Sequence, residues 1–139
     1  MRKCDFCAIV EERAPAATVW EDGSNMAFFP LRPAALGHTL VIPKAHYADL
    51  FEVPDPALCD LMQAVAVVGR GIRAALRPDG INVINSSGKA ASQTVFHVHV
   101  HLVPRWTGDR FGNIWPPSEI QSDEMKVEVV EMLRTQLNS

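Results

Sequence analysis

The chain has 139 residues, of which 47% are hydrophobic and 21% charged, and this length predicts one domain over residues 1–139 with its own core. Thirteen basic and sixteen acidic side chains give a net charge of −3, which disfavours binding to a nucleic acid polymer, because such binding needs a basic surface. No apolar run approaches the roughly 18 residues of a membrane span, and the first residues lack a signal peptide's apolar stretch, so we expect a cytoplasmic protein without a membrane partner.

The N-terminal part combines a cysteine pair with a short helix and two strands. Cys4 and Cys7 form a Cys-x-x-Cys pair, which is half a zinc site and taken alone fits a redox pair or chance equally well. In a reducing compartment the pair suits metal binding better than a disulfide framework. Residues 5–12 predict a short helix or turn, and residues 19–21 and 26–29 predict strands on either side of a turn at 22–25.

The middle and the end of the chain predict two more strands and two helices. Residues 39–42 form a short apolar run that Pro43 ends, which indicates a buried strand, and residues 81–84 predict another after the turn at Asp79-Gly80. A long helix is predicted from Pro54 to Leu76, with its apolar face formed by Leu58, Leu61, Met62, Val65, Val68 and Ile72. We expect Cys59, within this helix, to be a buried small hydrophobic residue. Residues 122–137 predict a C-terminal amphipathic helix with Met125, Val127, Val129, Val130, Met132 and Leu133. The fold class predicted is α+β, an antiparallel sheet with a long helix and a C-terminal helix.

Three histidines at alternate positions are the most informative feature of the sequence. On a strand, His97, His99 and His101 would line one face, while Phe96, Val98, Val100 and Leu102 would cover the other. A plain metal site and a structural or pH-sensing face are alternatives. Nucleophilic catalysis is favoured, because a central imidazole can attack an electrophile while its neighbours hold its tautomer and donate to the developing charge.

The loop before the histidines has the composition of a phosphate-binding loop. Its small residues, over 86–92, let backbone amides approach a ligand closely, and Gln93 and Thr94 add donors beside the histidines. An ordinary turn is the alternative interpretation.

These motifs resemble the histidine-triad (HIT) family of nucleotide hydrolases and transferases. The resemblance rests on His97-Val-His-Val-His-Leu-Val103, Gly37-His-Thr-Leu-Val-Ile-Pro-Lys44, the segment 85–95 and Cys4-Asp-Phe-Cys7, and it covers residues 4 to about 116. It implies a nucleotide phosphohydrolase or nucleotidyl transferase that acts at the α-phosphate of nucleoside phosphoramidates or dinucleoside polyphosphates. His99 would attack the phosphorus and become a nucleotidyl-phosphohistidine, and His101 would donate to a non-bridging oxygen. A nucleotide- or partner-binding module with vestigial catalysis is the alternative.

The resemblance also implies which residues contact the substrate. The phosphates would be contacted by Ser86, Ser92, Gln93, Thr94 and Val95, and the base by Phe6, Ile9, Phe28 and Leu31. Ser92 stands where the family commonly has glycine, and Ser86 where relatives often carry asparagine or glutamine, so Asn85 can compensate. Relatives place aspartate or asparagine at the position of Pro30 to accept hydrogen bonds from the ribose, whereas proline has no side-chain acceptor.

Zinc and a second copy of the chain are the further partners that the resemblance implies. Relatives with the cysteine pair hold a structural zinc through residues that match Cys4, Cys7, His46 and His97. His38 is expected either as a structural hydrogen-bonding residue or as a partner of the histidine row. A homodimer is expected through the long helix and residues 81–84, with the tail at 115–117 near the partner's site.

Overall fold

A computed structural model describes residues 3–139. Its helices are α1 (Asp5–Val10), α2 (Asp55–Leu76) and α3 (Asp123–Leu137), and its strands are β1 (Thr18–Glu21), β2 (Asn25–Phe28), β3 (Thr39–Pro43), β4 (Gly80–Ile84) and β5 (Val100–Arg105). Single turns of 3-10 helix lie at Leu50–Glu52 and Lys89–Ala91. The predicted α+β class is confirmed, and the predicted helices and the first four predicted strands are each found within two residues of the expected ends.

The five strands form one antiparallel sheet in the order β1-β2-β3-β5-β4. The turn between β1 and β2 is closed by Asp22, whose Oδ1 accepts hydrogen bonds from the backbone N–H groups of Ser24 and Asn25 at 2.9 and 2.8 Å. β3 and β5 lie inside the sheet, with a neighbouring strand on each side. All five residues of β3 are buried, and so are four of the six residues of β5.

The sheet has a different partner on each face. On one face α2 packs against a cluster that includes Ala27, Val41, Val98, Val100 and Leu102. On the other face α1 supplies Phe6, which packs with Met26, Phe28, Leu40 and Ile42. Because side chains alternate along a strand, His101 lies on the α1 face, between the α2-facing Val100 and Leu102.

Two predictions about α2 are wrong. The buried face consists of Leu61, Ala64, Val65, Val68 and Ile72, as expected from the spacing, but Met62 is 45% exposed and Cys59 is also exposed. Successive helix positions differ by about 100°, so Met62 points well away from the neighbouring Leu61. Cys59 lies one turn before Met62, on the same outward side.

The expectation of one regular strand through all three histidines is also wrong. Only His101 lies in β5, whereas His97 and His99 lie in irregular backbone before it. Val98 N–H bonds to the Tyr47 carbonyl at 2.7 Å, and the Asn85 side chain donates to the His99 carbonyl at 2.9 Å. These bonds take the place of strand-to-strand hydrogen bonds, because the pairing of β5 with β3 begins only at Val100. Phe96, predicted to cover the core, is 49% exposed.

A cluster around Arg105 ends the sheet and begins the C-terminal segment. The Arg105 guanidinium donates to both oxygens of Asp109, to Asn82 Oδ1 and to the Gly112 carbonyl, and it lies 4.3 Å from the ring centroid of Phe111. This pairing holds the pKa of the Asp109 carboxyl well below its usual range. Residues 112–139 after the cluster are all exposed. Within residues 3–139 no helix combines the length and the apolar character needed to cross a membrane.

Candidate functional site

His99 and His101 form the centre of the candidate site. Their ring centroids are 5.0 Å apart, and the edge of Phe6 packs against His99 at a centroid distance of 5.2 Å. His97 is fully buried, and its ring is directed to a different group of residues, which includes the two N-terminal cysteines. The structure therefore divides the row of three histidines into a pair and a separate member.

The His99 ring has one nitrogen, Nδ1, in a hydrogen bond, and the other, Nε2, has no hydrogen-bond partner among residues 3–139. Its Nδ1 lies 2.8 Å from the His97 carbonyl oxygen, which can only accept, so Nδ1 carries the proton. Nε2 then has a lone pair. Burial lowers the pKa of His99 below its usual value, against the opposing effect of the bond to His97. A neutral imidazole with a free Nε2 is the form that attacks an electrophile.

His101 is held in the opposite tautomer by His38. The Ala34 N–H donates to His38 Nδ1 at 2.9 Å, so the proton of His38 is on Nε2. His38 Nε2 lies 2.9 Å from His101 Nδ1 and therefore donates to it. The free Nε2 of neutral His101 consequently carries a proton. His38 was expected either as a structural hydrogen-bonding residue or as a partner of the histidine row, and it has both contacts. Its bond to the Ala34 N–H determines that its other nitrogen donates to His101.

The same chain explains the electrostatics of the His101 side of the site. Burial, followed by the nearby His99 and His38 rings, lowers the pKa of His101 to about 4. Burial also lowers the pKa of His38. His101 is therefore uncharged near neutral pH, and its Nε2–H is available as a hydrogen-bond donor.

Gln93 and Asn85 hold the loop that precedes the histidines. The Gln93 Nε2 group donates to the carbonyls of Ala48 and Val95 at 2.7 and 3.0 Å, and its Oε1 accepts from the Gly88 N–H at 2.7 Å. Both amide hydrogens are thus used within the protein, so a donation from Gln93 to a substrate would require one of these bonds to break. Asn85 likewise bonds to the His99 carbonyl and accepts from the Ser87 hydroxyl.

The other residues of this loop remain available to a ligand. Ser92 and Thr94 are exposed, Ser86 is half-buried, and Val95 packs against the cluster on the α1 face. Ser92 has a φ of 73°, the left-handed conformation that favours glycine. Ser92 therefore adopts the backbone conformation that glycine would adopt at this position.

Of the residues expected around a base, the structure brings together three. Phe6 and Phe28 are buried with their ring centroids 5.3 Å apart, and Ile9 packs against the same cluster. Leu31 is 99% exposed and contacts none of this cluster. Pro30 follows β2 directly and is half-buried.

Cys4, Cys7, His46 and His97 converge on one point and could hold a metal ion, because their four ligand atoms lie within 4.8 Å of one another. His97 Nδ1 is 3.5 Å from Cys4 Sγ, 3.6 Å from Cys7 Sγ and 3.2 Å from His46 Nδ1, and Cys7 Sγ is 3.4 Å from His46 Nδ1. A tetrahedral ion with bonds of about 2.3 Å to sulfur and 2.0–2.1 Å to nitrogen spaces its ligands by roughly 3.3–3.8 Å. The four distances quoted, 3.2–3.6 Å, agree with that range to within about 0.1 Å.

The protonation pattern of the cluster also fits a metal. His97 Nε2 donates to the Pro43 carbonyl at 2.8 Å, which leaves the lone pair of Nδ1 directed at the cysteines. His46 presents its Nδ1, and its buried Nε2 has no partner among the described residues. Burial, followed by Cys4, raises the pKa of the Cys7 thiol to about 11, so a cation is what would favour the thiolate there.

Three features of the site were not predicted from the sequence. They are the bond from Asn85 to the His99 carbonyl, the carbonyl of Pro43 as the partner of His97, and the use of the Gln93 amide within the loop. Each of these bonds joins residues that are distant in the sequence, and a local sequence pattern does not specify such contacts. For Asn85, a polar residue directly after the apolar run 81–84 was the available signal.

Comparisons with known proteins agree with this geometry. A family model described as HIT domain matches residues 11–108. The adenosine 5'-monophosphoramidase of Saccharomyces cerevisiae is 36% identical over 124 residues, which are 88% of this chain and 75% of that protein. A crystal structure of a protein from Streptococcus mutans UA159 superposes with a TM-score of 0.89 at 34% identity, covering 99% of this chain and 87% of that one. A zinc-bound histidine triad family protein from Mycobacterium smegmatis has a TM-score of 0.74 at 37% identity, covering 97% and 95%.

Proposed function

The chain belongs to the HIT-domain family, and we propose that it is a hydrolase of the histidine-triad type. Its substrate is a nucleoside phosphoramidate or a dinucleoside polyphosphate, and it reacts at the α-phosphate. The similarity to a monophosphoramidase from yeast supports the phosphoramidate in particular.

The observation that carries this proposal is the complementary tautomers of His99 and His101. His99 has a free lone pair on Nε2, and His101, whose ring centroid lies 5.0 Å away, has a proton on Nε2. One nucleophile and one donor on adjacent rings are what attack on a phosphate ester or amide requires, because charge develops on the phosphoryl oxygens during attack.

In the first step, His99 Nε2 attacks the α-phosphorus in line with the leaving group. The bond from nitrogen to phosphorus forms as the bond from phosphorus to the leaving amine or phosphate breaks. The leaving group departs with the electron pair, and an amine also takes up one proton from solvent. His101 Nε2–H donates to a non-bridging oxygen. Thr94, whose side chain is exposed in the loop before the histidines, would assist the leaving group.

In the second step, water cleaves the nucleotidyl-histidine. Its oxygen bonds to phosphorus as the bond from phosphorus to His99 Nε2 breaks, one proton of the water goes to solvent, and His99 regains its lone pair. In a transferase, a second phosphate would take the place of the water. Backbone amides of the loop at 86–95, with Ser86, Ser92 and Val95, would hold the phosphate during both steps.

We further propose that the cluster of Cys4, Cys7, His46 and His97 holds a structural zinc. Two thiolates and two imidazoles form a closed tetrahedral set, which leaves no position for water. The ion would stabilise the fold and orient the histidine row. His99 and His101 then remain as the working pair, because His97 Nδ1 is a ligand.

The residues around the expected nucleoside site bear on a second candidate function. Phe6, Ile9 and Phe28 supply the apolar surface for a base, but Pro30 has no acceptor for a ribose hydroxyl. That substitution favours the second candidate, a binding module with vestigial catalysis. A homodimer through α2 and β4, with Trp115 approaching the partner's site, would complete the nucleotide pocket in either case.

Turnover and binding measured on one panel distinguish the two candidates. The panel contains adenylyl and guanylyl phosphoramidates, dinucleoside polyphosphates and the corresponding monophosphates, each as ribose and deoxyribose forms. The hydrolase is expected to turn over at least one of the first two classes, and a His99→Ala variant none. Binding of monophosphates without turnover of any substrate by the wild type would establish the binding module instead.

A further inference from the structure

A series of three hydrogen bonds, termed the Ser87 relay, leads from Leu50 to the backbone of His99. The Leu50 N–H donates to Ser87 Oγ at 3.3 Å, and the Ser87 hydroxyl donates to Asn85 Oδ1 at 3.0 Å. Asn85 Nδ2 then donates to the His99 carbonyl oxygen at 2.9 Å. The relay therefore joins the 3-10 turn at Leu50–Glu52 to the main chain of the proposed nucleophile.

The groups at the two ends determine the direction of the relay. The Leu50 N–H can only donate, so Ser87 Oγ accepts there and its single hydrogen is left for Asn85. The His99 carbonyl can only accept, so the Asn85 amide presents its NH2 group to it and its oxygen to Ser87. The opposite orientation of the amide would place two acceptors together at the His99 carbonyl. Ser87 thus favours the orientation of Asn85 in which His99 receives a donor.

The His99 carbonyl depends on this bond because the backbone at 97–99 lies outside the sheet. The pairing of β5 begins at Val100 with β3 and at His101 with β4. Before that point, the Val98 N–H bonds to the Tyr47 carbonyl at 2.7 Å, and the Asn85 amide bonds to the His99 carbonyl. Single hydrogen bonds therefore hold the part of the backbone that strand pairing does not hold.

The position of this backbone also affects the position of the His99 ring. Nδ1 of the ring bonds to the His97 carbonyl at 2.8 Å, so the ring is held against the same irregular segment. In-line attack requires the reacting atoms to approach to about 3–3.5 Å, and a displacement of about 1 Å can lower the rate by about 100-fold. Loss of the bond to the His99 carbonyl is therefore expected to lower the rate of attack more than the affinity for substrate.

The loop has a second connection to the segment that contains Leu50, but that connection leads elsewhere. The Gln93 amide joins the Ala48 carbonyl to the Gly88 N–H and does not reach the His99 carbonyl. We propose that Ser87 is a positioning residue of the reaction, which orients the Asn85 amide and through it the backbone of His99. The effect on turnover rests on the proposed function, whereas the hydrogen bonds of the relay do not.

Steady-state kinetics of Ser87→Ala in full-length, zinc-loaded protein tests this role. The kcat should fall by about three- to tenfold and KM should change by less than about twofold, because the ring of His99 loses part of its alignment. Ser87→Thr keeps the hydroxyl and should recover most of the loss. Ser24→Ala is the matched control, because Ser24 is an exposed loop serine whose hydroxyl has no hydrogen-bond partner among residues 3–139.

A double-mutant cycle tests whether Ser87 acts through Asn85. Asn85→Ala removes the amide, so Ser87→Ala should lower kcat little further in that background. Equal losses in the two backgrounds would overturn the relay, and so would a loss that Ser87→Thr does not recover. A kcat that Ser87→Ala leaves unchanged would overturn the positioning role. Thermal unfolding checks that each variant folds, and Ser87→Cys, whose thiol is only a weak donor, replaces the alanine variant if that variant does not fold.

Hydrogen exchange of the Asn85 side-chain amide, followed by NMR, examines the relay without substrate. The hydrogen that bonds to the His99 carbonyl should exchange slowly with water in the wild type and at least about threefold faster in Ser87→Ala. An unchanged exchange rate would overturn the inference even in an active enzyme. If the wild type turns over no substrate of the panel, this measurement still tests the relay, so failure of the proposed function is distinguishable from failure of the inference.

Discussion

His38 shows how one side chain outside the histidine row can determine the chemistry within it. It accepts a hydrogen bond from a backbone amide at one nitrogen and donates a hydrogen bond from the other to His101, so the direction of both bonds is fixed by the Ala34 N–H. The tautomer of His101, and therefore its ability to donate to a phosphoryl oxygen, depends on this chain. The role of His38 is positioning, because in this arrangement it reaches the reaction through His101.

Removal of the His38 ring tests this dependence. His38→Ala is expected to lower kcat by roughly tenfold or more, with a smaller change in KM, because His101 loses the partner that holds its donating tautomer. His38→Gln keeps an N–H that can donate to His101 and should recover part of the loss. Steady-state kinetics with nitrogen NMR of the His101 ring measures both effects. An unchanged ring tautomer and an unchanged kcat in His38→Ala would contradict the role.

Ser92 illustrates a conformational requirement at a single residue. Its φ of 73° is costly for a residue with a Cβ, by about 1 kcal/mol, and glycine adopts it freely. Ser92→Gly is therefore expected to raise the free energy of unfolding by up to about 1 kcal/mol, and Ser92→Val to lower it. Urea unfolding of the two variants measures the difference. A stabilising effect of Ser92→Val would show that the strain lies elsewhere.

At the scale of elements, the cysteine–histidine cluster joins three segments that the sheet does not join. It connects the start of α1, the segment after β3 and the irregular backbone before β5. His97 and His99 are two positions apart, and the His97 carbonyl accepts from His99. A metal in the cluster would thus hold the backbone group that orients the nucleophile.

Removal of the metal is expected to destabilise the fold before it affects the chemistry. Chelation, or Cys7→Ser, should lower Tm by roughly 10 °C or more, because the binding free energy counts toward folding and each kcal/mol shifts Tm by about 3–5 °C. Activity should fall only as folding does. Cys59→Ser is the matched control, since Cys59 is exposed on α2 and lies outside the cluster.

Calorimetry with elemental analysis measures this prediction. Protein purified without chelators should contain one zinc per chain. An absence of zinc, or a Tm that chelation leaves unchanged, would contradict the structural role and return His97 to the catalytic row.

The elements that sequence periodicity predicts well are those whose side chains contact the core. β3 and the buried face of α2 were predicted because apolar spacing directly reflects burial, as at Leu61, Val65 and Val68. The strand through the histidines was predicted too long, because the bonds that replace its ladder come from Tyr47 and Asn85, which are distant in sequence. Met62 and the apolar residues of α3 show the same apolar spacing in the sequence, but their side chains are exposed. A pattern alone does not show whether a partner surface belongs to the same molecule.

The candidate site was predicted in its residue types and only partly in its contacts. The four ligand positions implied by the family resemblance do converge, and His99 and His101 are adjacent. Leu31 does not join the apolar cluster: it lies three residues after the end of β2 and is 99% exposed. The amide of Gln93 serves the loop, which depends on the position of Ala48 in another segment.

For the whole molecule, buried neutral imidazoles make stability depend on pH. An imidazole in the unfolded chain takes up a proton near pH 6.5, whereas His101 in the fold does so only near pH 4, and the pKa of His38 is lowered as well. The unfolded state therefore binds more protons between these values, and the free energy of unfolding falls as the pH falls from about 6.5 to about 4.

A variant of His101 isolates this contribution from loss of the metal. Urea unfolding of zinc-loaded protein at several pH values should show a shallower fall in stability for His101→Gln than for the wild type, since the variant has one titrating group fewer. Equal slopes would show that His101 is protonated in the fold at the same pH as in the unfolded chain.

Capture of the covalent intermediate tests the central claim most directly. Wild-type protein mixed with a nucleoside phosphoramidate and quenched in base, in which a phosphohistidine survives, is expected to carry one nucleotidyl group on the peptide that contains His99. His99→Ala should carry none and show no turnover while keeping the melting temperature of the folded protein. An adduct on another residue, or turnover by His99→Ala at the wild-type rate, would contradict the mechanism.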